Sequence, residues 1–264
     1  PSFKSVRSIS NYISGVKLFH ILSGFEFPHI GKLELKLVIR GIARLNPYTP
    51  RQALPISPEI LVQIRRLMDI SRPFDAALWC AFVVAFFLFA RKSNLVPVSW
   101  GRFNPEKDLC RGDLLVAEDG ILVIIKWSKT IQAAERRLVV PVVTVPNSVL
   151  CPRAALINLC RVSPAGARDP AFLVVTPAGQ LIITHKIFTT ELRRLLRLAG
   201  HRPDRYSGHS FRRGGASFAL RAGVPGELIK QHGDWRSNAY LQYLSLSTSD
   251  KSRVTASMVA ALPQ

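Results

Sequence analysis

The run Ala76–Ala90, AALWCAFVVAFFLFA, has no polar face. A helix that is apolar all round has to be buried on every side. The run is short of the roughly 20 residues that cross a bilayer, so it predicts a helix inside a domain. It ends at Arg91-Lys92-Ser93-Asn94. Elsewhere the apolar residues recur at helical spacing. Val6, Ile9, Ile13 and Val16 form a stripe within residues 5–23, with Ser8 and Ser10 as candidate caps and Gly24 as the stop. Lys32–Leu45 interleaves Leu33, Leu37 and Ile42 with Lys32, Lys36, Arg40 and Arg44. Ser57-Pro58-Glu59 then reads as a helix start: a cap, a Pro in the first turn and an acid at the positive end. Ile60, Leu61, Ile64, Leu67 and Met68 supply the buried face of that helix.

A change of period follows. Leu114–Ala117, Ile121–Lys126 and Leu138–Val145 read as strands of one small antiparallel sheet, the first two joined by a Glu118-Asp119-Gly120 turn. Helical spacing resumes over Pro152–Cys160, His185–Leu198, His209–Arg221, Pro225–Gln231 and Asn238–Leu244. The pattern predicts a mainly α chain with a small antiparallel β-sheet (α+β). Three prolines, Pro47, Pro50 and Pro55, mark a linker over 47–56 between a helical unit, 1–46, and a larger domain, 57–264. Two helices make a thin first unit. With a chain that opens on Pro rather than Met, this suggests that part of its N-terminal side is missing.

Charge changes the picture. The 264 residues hold 36 Lys and Arg against 17 Asp and Glu, a formal +19 and a pI near 10.6. Such a surface attracts a polyanion, and nucleic acid is the first candidate. At 48% hydrophobic and 20% charged, the chain reads as packed rather than disordered. Cys80, Cys110, Cys151 and Cys160 show no CxxC pairing and read as reduced core thiols. No apolar h-region follows the opening PSFKSVRSIS, so no signal peptide is expected.

The chemistry gathers in Ser207–Leu244. His209 and Arg212 stand one helical turn apart, followed by Trp235 and Tyr243. An arginine can clamp phosphate oxygens, a histidine can move a proton and a phenol can hold a phosphoryl group covalently. Arg213 points about 100° away from Arg212 on a helix, toward solvent or a DNA backbone. Gly214 and Gly215 weaken that helix by about 1 kcal/mol each, which a close backbone approach to another element or to DNA would explain.

Four segments together resemble the tyrosine recombinases, or phage-type integrases: ARKSNL (90–95), KWSKT (126–130), HSFRRGG (209–215) and HGDWRSNAYLQY (232–243). WSKT with GDWRSNAYLQY is most similar to the recombinases of DIRS-type retrotransposons and related eukaryotic mobile elements. The resemblance implies a tyrosine recombinase catalytic domain, preceded by a partial helical core-binding domain. It implies DNA cutting and rejoining through a 3′-phosphotyrosyl intermediate, for integration of a mobile element. By that resemblance Arg91 and Arg212 hold the phosphate, Lys129 protonates the leaving 5′ oxygen, His209 accepts the tyrosine proton, Trp235 completes the pocket and Tyr243 is the nucleophile. Lys126 competes with Lys129, His232 with Trp235 and Tyr240 with Tyr243. Trp235 to Tyr243 is one residue shorter than the family spacing, and Asn94 stands where many members carry an acid.

The resemblance further implies double-stranded DNA as partner and a homo-tetramer on two synapsed sites. It implies no membrane partner, no metal or cofactor, and a nuclear location. The tail Thr248–Gln264, with Val254, Met258, Val259 and Leu262 at helical spacing, would dock on a neighbouring protomer or on its own domain. Two other readings stand beside this one. One is a DNA-binding module whose catalysis has decayed; the other is a type IB topoisomerase-like enzyme.

Overall fold

A computed structural model describes residues 6–27, 32–45, 52–128, 131, 137–244, 252, 256 and 259. The chain divides into two units between Gln52 and Ala53. In the first, α1 (Val6–Leu22) packs on α2 (Lys32–Leu45), while Phe19, Leu22, Leu33 and Leu37 remain exposed. In the second, α3 (Pro58–Arg66) begins as its sequence predicts. The Ser57 hydroxyl accepts from the Ile60 amide at 3.4 Å, and Pro58 occupies the first turn.

The apolar run becomes α4 (Pro73–Phe87), with every residue from Ala76 to Phe86 buried. It starts three residues earlier than the apolar run, because Pro73 and Asp75 suit a first turn. It also stops before Arg91. Phe89 takes a left-handed φ of 47° and turns the chain out of the helix. Against α4 lie α5 (Pro152–Val162) and α7 (His209–Arg221). The core centres on Phe82, whose ring meets Phe188 of α6 (His185–Leu198) at 5.0 Å and Phe211 of α7 at 5.1 Å.

Strands β1 (Leu114–Ala117), β2 (Gly120–Ile125) and β3 (Leu138–Val143) form an antiparallel sheet in that order. Register pairs Leu114 with Val123 and Val123 with Val140, so Ile121, Val123 and Ile125 face the core. The single sheet expected from the sequence is joined by a second, separate hairpin. It consists of β4 (Leu173–Thr176) and β5 (Gly179–Ile182), with Pro177 and Ala178 at the turn. Neither strand alternates, and Pro177-Ala178 lacks the Asp-Gly turn signal that announced the equally short β1, which is why the pattern hid them. The chain continues through α8 (Gly226–His232) to a 3-10 turn, Asn238–Gln242, where an α-helix was expected.

Among the described residues no helix is long and apolar enough to cross a membrane. The cysteines are free, and three are buried as expected. Cys160 is the exception, exposed on α5. Arg111 is a buried cation that sequence reading passed over. It donates to the carbonyls of Ala171 (2.7 Å) and Ser163 (3.0 Å), tying the turn before β1 to the end of α5 and to the segment that leads into β4. Most of the tail, including Val254, Met258 and Leu262, lies outside the described residues; Val259 is exposed.

Candidate active site

The site is assembled around the C-terminal end of α4. The last carbonyls of a helix have no intrahelical donors, and the helix dipole makes that end favour a cation. Two side chains answer. Arg212 Nη1 donates to the Phe89 carbonyl at 2.5 Å, and His232 Nε2 donates to the Phe87 carbonyl at 2.7 Å. A carbonyl only accepts, so this contact puts the His232 proton on Nε2. Arg212 Nη2 donates to the Gly233 carbonyl at 2.7 Å, past the end of α8. Carried on α7, one guanidinium thus ties together the segments just past α4 and α8, and only 2% of the residue is exposed.

Its delocalised face is covered by Trp235, whose ring centroid lies 3.6 Å from the guanidinium carbon. Gly233 makes that stacking possible, since a Cβ there would fall 1.6 Å from the indole. Burial and the neighbouring Arg91 push the Arg212 pKa down to about 9, which still leaves it charged at neutral pH. Helix α7 packs closely on its neighbours through two glycines, Gly214 against the chain before α3 and Gly215 against α4. A Cβ on Gly214 would lie 1.9 Å from the Ile56 carbonyl, and one on Gly215 2.2 Å from the Phe86 carbonyl. The approach is to other elements of the fold.

Arg91 follows in extended backbone before the short turn Lys92–Asn94. It is half-buried and lines a small cleft with Asn94, Arg212, His232 and Asp234. His209 opens α7 beside two local serine bonds. Ser207 Oγ accepts from the His209 amide (3.2 Å), and Ser210 Oγ accepts from the Ser207 amide (3.0 Å). The His209 ring stands 6.3 Å from that of Tyr243. Burial, then the charges of Arg91, Arg212, Lys92 and Arg213, hold the His209 pKa below its usual 6.5. The residue as a whole is exposed, so the four surrounding cations are the firmer cause.

Tyr243 ends the 3-10 turn with its ring 5.5 Å from Trp235 and 5.3 Å from the Arg212 guanidinium carbon. Tyr240 also touches Trp235, at 6.1 Å, but it is buried and its hydroxyl points to Gly226, where a Cβ would lie 2.8 Å away. The two tyrosines, expected on one face, therefore part company. Lys126 is committed elsewhere. Its ammonium pairs with Asp113 at 2.6 Å and donates to the Pro105 carbonyl at 2.6 Å. Lys129 lies outside the described residues. Its neighbour Ser128 pairs with Ile131 and donates to the Asp234 carboxylate at 3.4 Å, beside the cleft.

Arg91, His209, Arg212, Trp235 and Tyr243 thus come together. Two polar atoms in this group stand out. Arg212 Nε and Trp235 Nε1 are buried N–H donors without an acceptor among the described residues. Arg213, read from the sequence as facing solvent or a DNA backbone, is half-buried and donates to the Gln242 carbonyl at 2.7 Å. Sequence reading missed its contact with the tyrosine segment, and it missed Ser217, which donates to the Tyr243 carbonyl at 3.3 Å. Their spacing on α7, four residues apart, was the available signal. Among the described residues no three His, Cys, Asp or Glu side chains gather where they could hold a metal ion.

No family model and no curated protein matches this sequence. Solved structures do match the fold. The integrase of transposon Tn1549, in complex with transposon right-end DNA, aligns over 97% of this chain and 80% of its own, with a TM-score of 0.57 at 12% identity. XerA recombinase aligns over 100% and 85%, with a TM-score of 0.52 at 15% identity. The XerH site-specific recombinase, in a post-cleavage complex with palindromic difH substrate, aligns over 79% of this chain with a TM-score of 0.55 at 14% identity. The chain spans 54% of that XerH chain. The fold is that of the tyrosine recombinase catalytic domain.

Proposed function

We propose that this protein is a site-specific DNA recombinase that cuts and rejoins strands through a 3′-phosphotyrosyl intermediate. The observation that carries the reading is the pair of orphaned N–H donors on Arg212 and Trp235, beside a second arginine and a half-buried phenol. Buried donors without acceptors are costly, and a phosphodiester would supply the acceptors. Two guanidiniums hold most of their charge in place before the reaction, where a pentacoordinate phosphate develops its own.

In this reading the non-bridging oxygens accept from Arg91, Arg212 and Trp235. The Tyr243 oxygen attacks phosphorus in line, its proton passing to a His209 kept neutral by its cationic neighbours. The bond from phosphorus to the 5′ oxygen breaks, and Lys129 protonates that oxygen. A 5′ hydroxyl of a partner strand then attacks the phosphotyrosine and releases Tyr243. The phosphodiester energy is retained throughout, so the cycle calls for no ATP, metal or cofactor. Duplex DNA as substrate agrees with the +19 charge. The sequence resemblance supports the rest: a first unit belonging to a core-binding domain, a tetramer on synapsed sites, and a nuclear role in integrating a mobile element.

The test is a nicked suicide duplex resolved on a denaturing gel. A covalent DNA adduct is expected, unaffected by EDTA, absent from Tyr243→Phe and retained in Tyr240→Phe. An adduct that persists in Tyr243→Phe would remove the nucleophile assignment. A wild-type protein that binds duplex without forming any adduct would point instead to a binding module.

A further inference from the structure

Arg212 and Arg213 are neighbours on α7, yet they serve different ends. Arg212 turns into the cleft, while Arg213 Nη2 reaches the Gln242 carbonyl at 2.7 Å. That carbonyl belongs to the peptide plane just before Tyr243. The plane just after it ends in the Tyr243 carbonyl, which accepts from Ser217 Oγ at 3.3 Å. Peptide units are planar, so fixing the planes on both sides of a Cα fixes its φ and ψ, and with them the direction of its Cβ. Gln242 itself is exposed and ends a 3-10 turn, where carbonyls lack helical donors. The side chains that supply them sit one turn apart on the helix that also carries His209 and Arg212.

We infer that Arg213 is a positioning residue for Tyr243, clamping the backbone that carries the phenol to the helix that carries its reaction partners. This rests on the phosphotyrosyl reading above. A nucleophile displaced by about 1 Å can lose on the order of 100-fold in rate, so the clamp matters to chemistry more than to binding.

The experiment compares wild type, Arg213→Met and Arg213→Lys at saturating nicked duplex. It measures single-turnover adduct formation beside DNA affinity and its salt dependence. Arg213→Met should slow adduct formation by about 10- to 100-fold with affinity changed less than about 3-fold. Arg213→Lys should recover part of the loss, because an ammonium can donate to the same carbonyl although it lacks the planar fork. Two results overturn the inference. One is an Arg213→Met rate within about 3-fold of wild type. The other is a rate loss matched by an equal loss of affinity with a shallower salt dependence, the mark of a phosphate contact. If wild type itself forms no adduct, the phosphotyrosyl reading falls, and the clamp with it. If wild type forms the adduct and Arg213→Met matches it, only the clamp falls.

Discussion

Helices α4 and α7 lie against each other and both are buried, but by opposite chemistry. On α4 the buried residues run from Ala76 to Phe86 and are all apolar. On α7 they include Ser210, Arg212, Gly214, Gly215 and Ser217. The first is held by transfer of apolar surface out of water, which needs no particular partner. The second is held by backbone contact at two glycines and by a guanidinium whose neighbours are placed for it. Burial on α4 makes a core. On α7 it makes a site, because a charge surrounded by fixed dipoles acts more strongly than one in water.

The difference can be attacked where each helix is most committed. Phe82→Ala removes the aromatic at the centre of α4 and should cost about 3–5 kcal/mol in denaturant unfolding. A loss under about 1 kcal/mol would mean that α4 is not packed as described. On α7, Gly214→Ala separates the two modes of burial. In an exposed helix this change gains about 1 kcal/mol, but with the Ile56 carbonyl 1.9 Å from the new Cβ it should lose about 1–3 kcal/mol. A raised thermal midpoint would contradict the close approach.

The smallest effect lies at the mouth of α7. With the His209 pKa below 6.5, protons bind the unfolded chain more readily than the folded one just below that pH. The stability tied to this group is therefore present above pH 6.5 and lost as pH falls through that value toward the lower folded one. Urea midpoints measured from pH 7.5 to 5 should fall slightly more for wild type than for His209→Gln. Parallel curves would show that the surrounding cations do not press on this imidazole.

Much of the fold was legible. The all-apolar run announced a buried helix, and Ser57-Pro58-Glu59 announced the start of another, because caps and periodicity are local. The second hairpin was not, since Leu173–Thr176 does not alternate and the turn after it carries no Asp-Gly signal. In the site, residue types and order were readable from His209, Arg212, Trp235 and Tyr243, but choices between rivals were not. Lys126 pairs with Asp113 and Tyr240 packs near Gly226, contacts that no local pattern records.

By itself, then, the sequence determined which segments are helical, which helix is buried all round, how basic the surface is and which residue types could handle a phosphate. Only the tertiary structure decided that Arg212 is stacked and clamped, that Trp235 Nε1 has no acceptor among the described residues, that Tyr243 rather than Tyr240 faces His209, and that Arg213 holds the tyrosine's backbone. The reason is range. Periodicity and caps act over a turn or two, whereas the Arg212 bond to the Phe89 carbonyl spans 123 residues and exists only once the chain has closed.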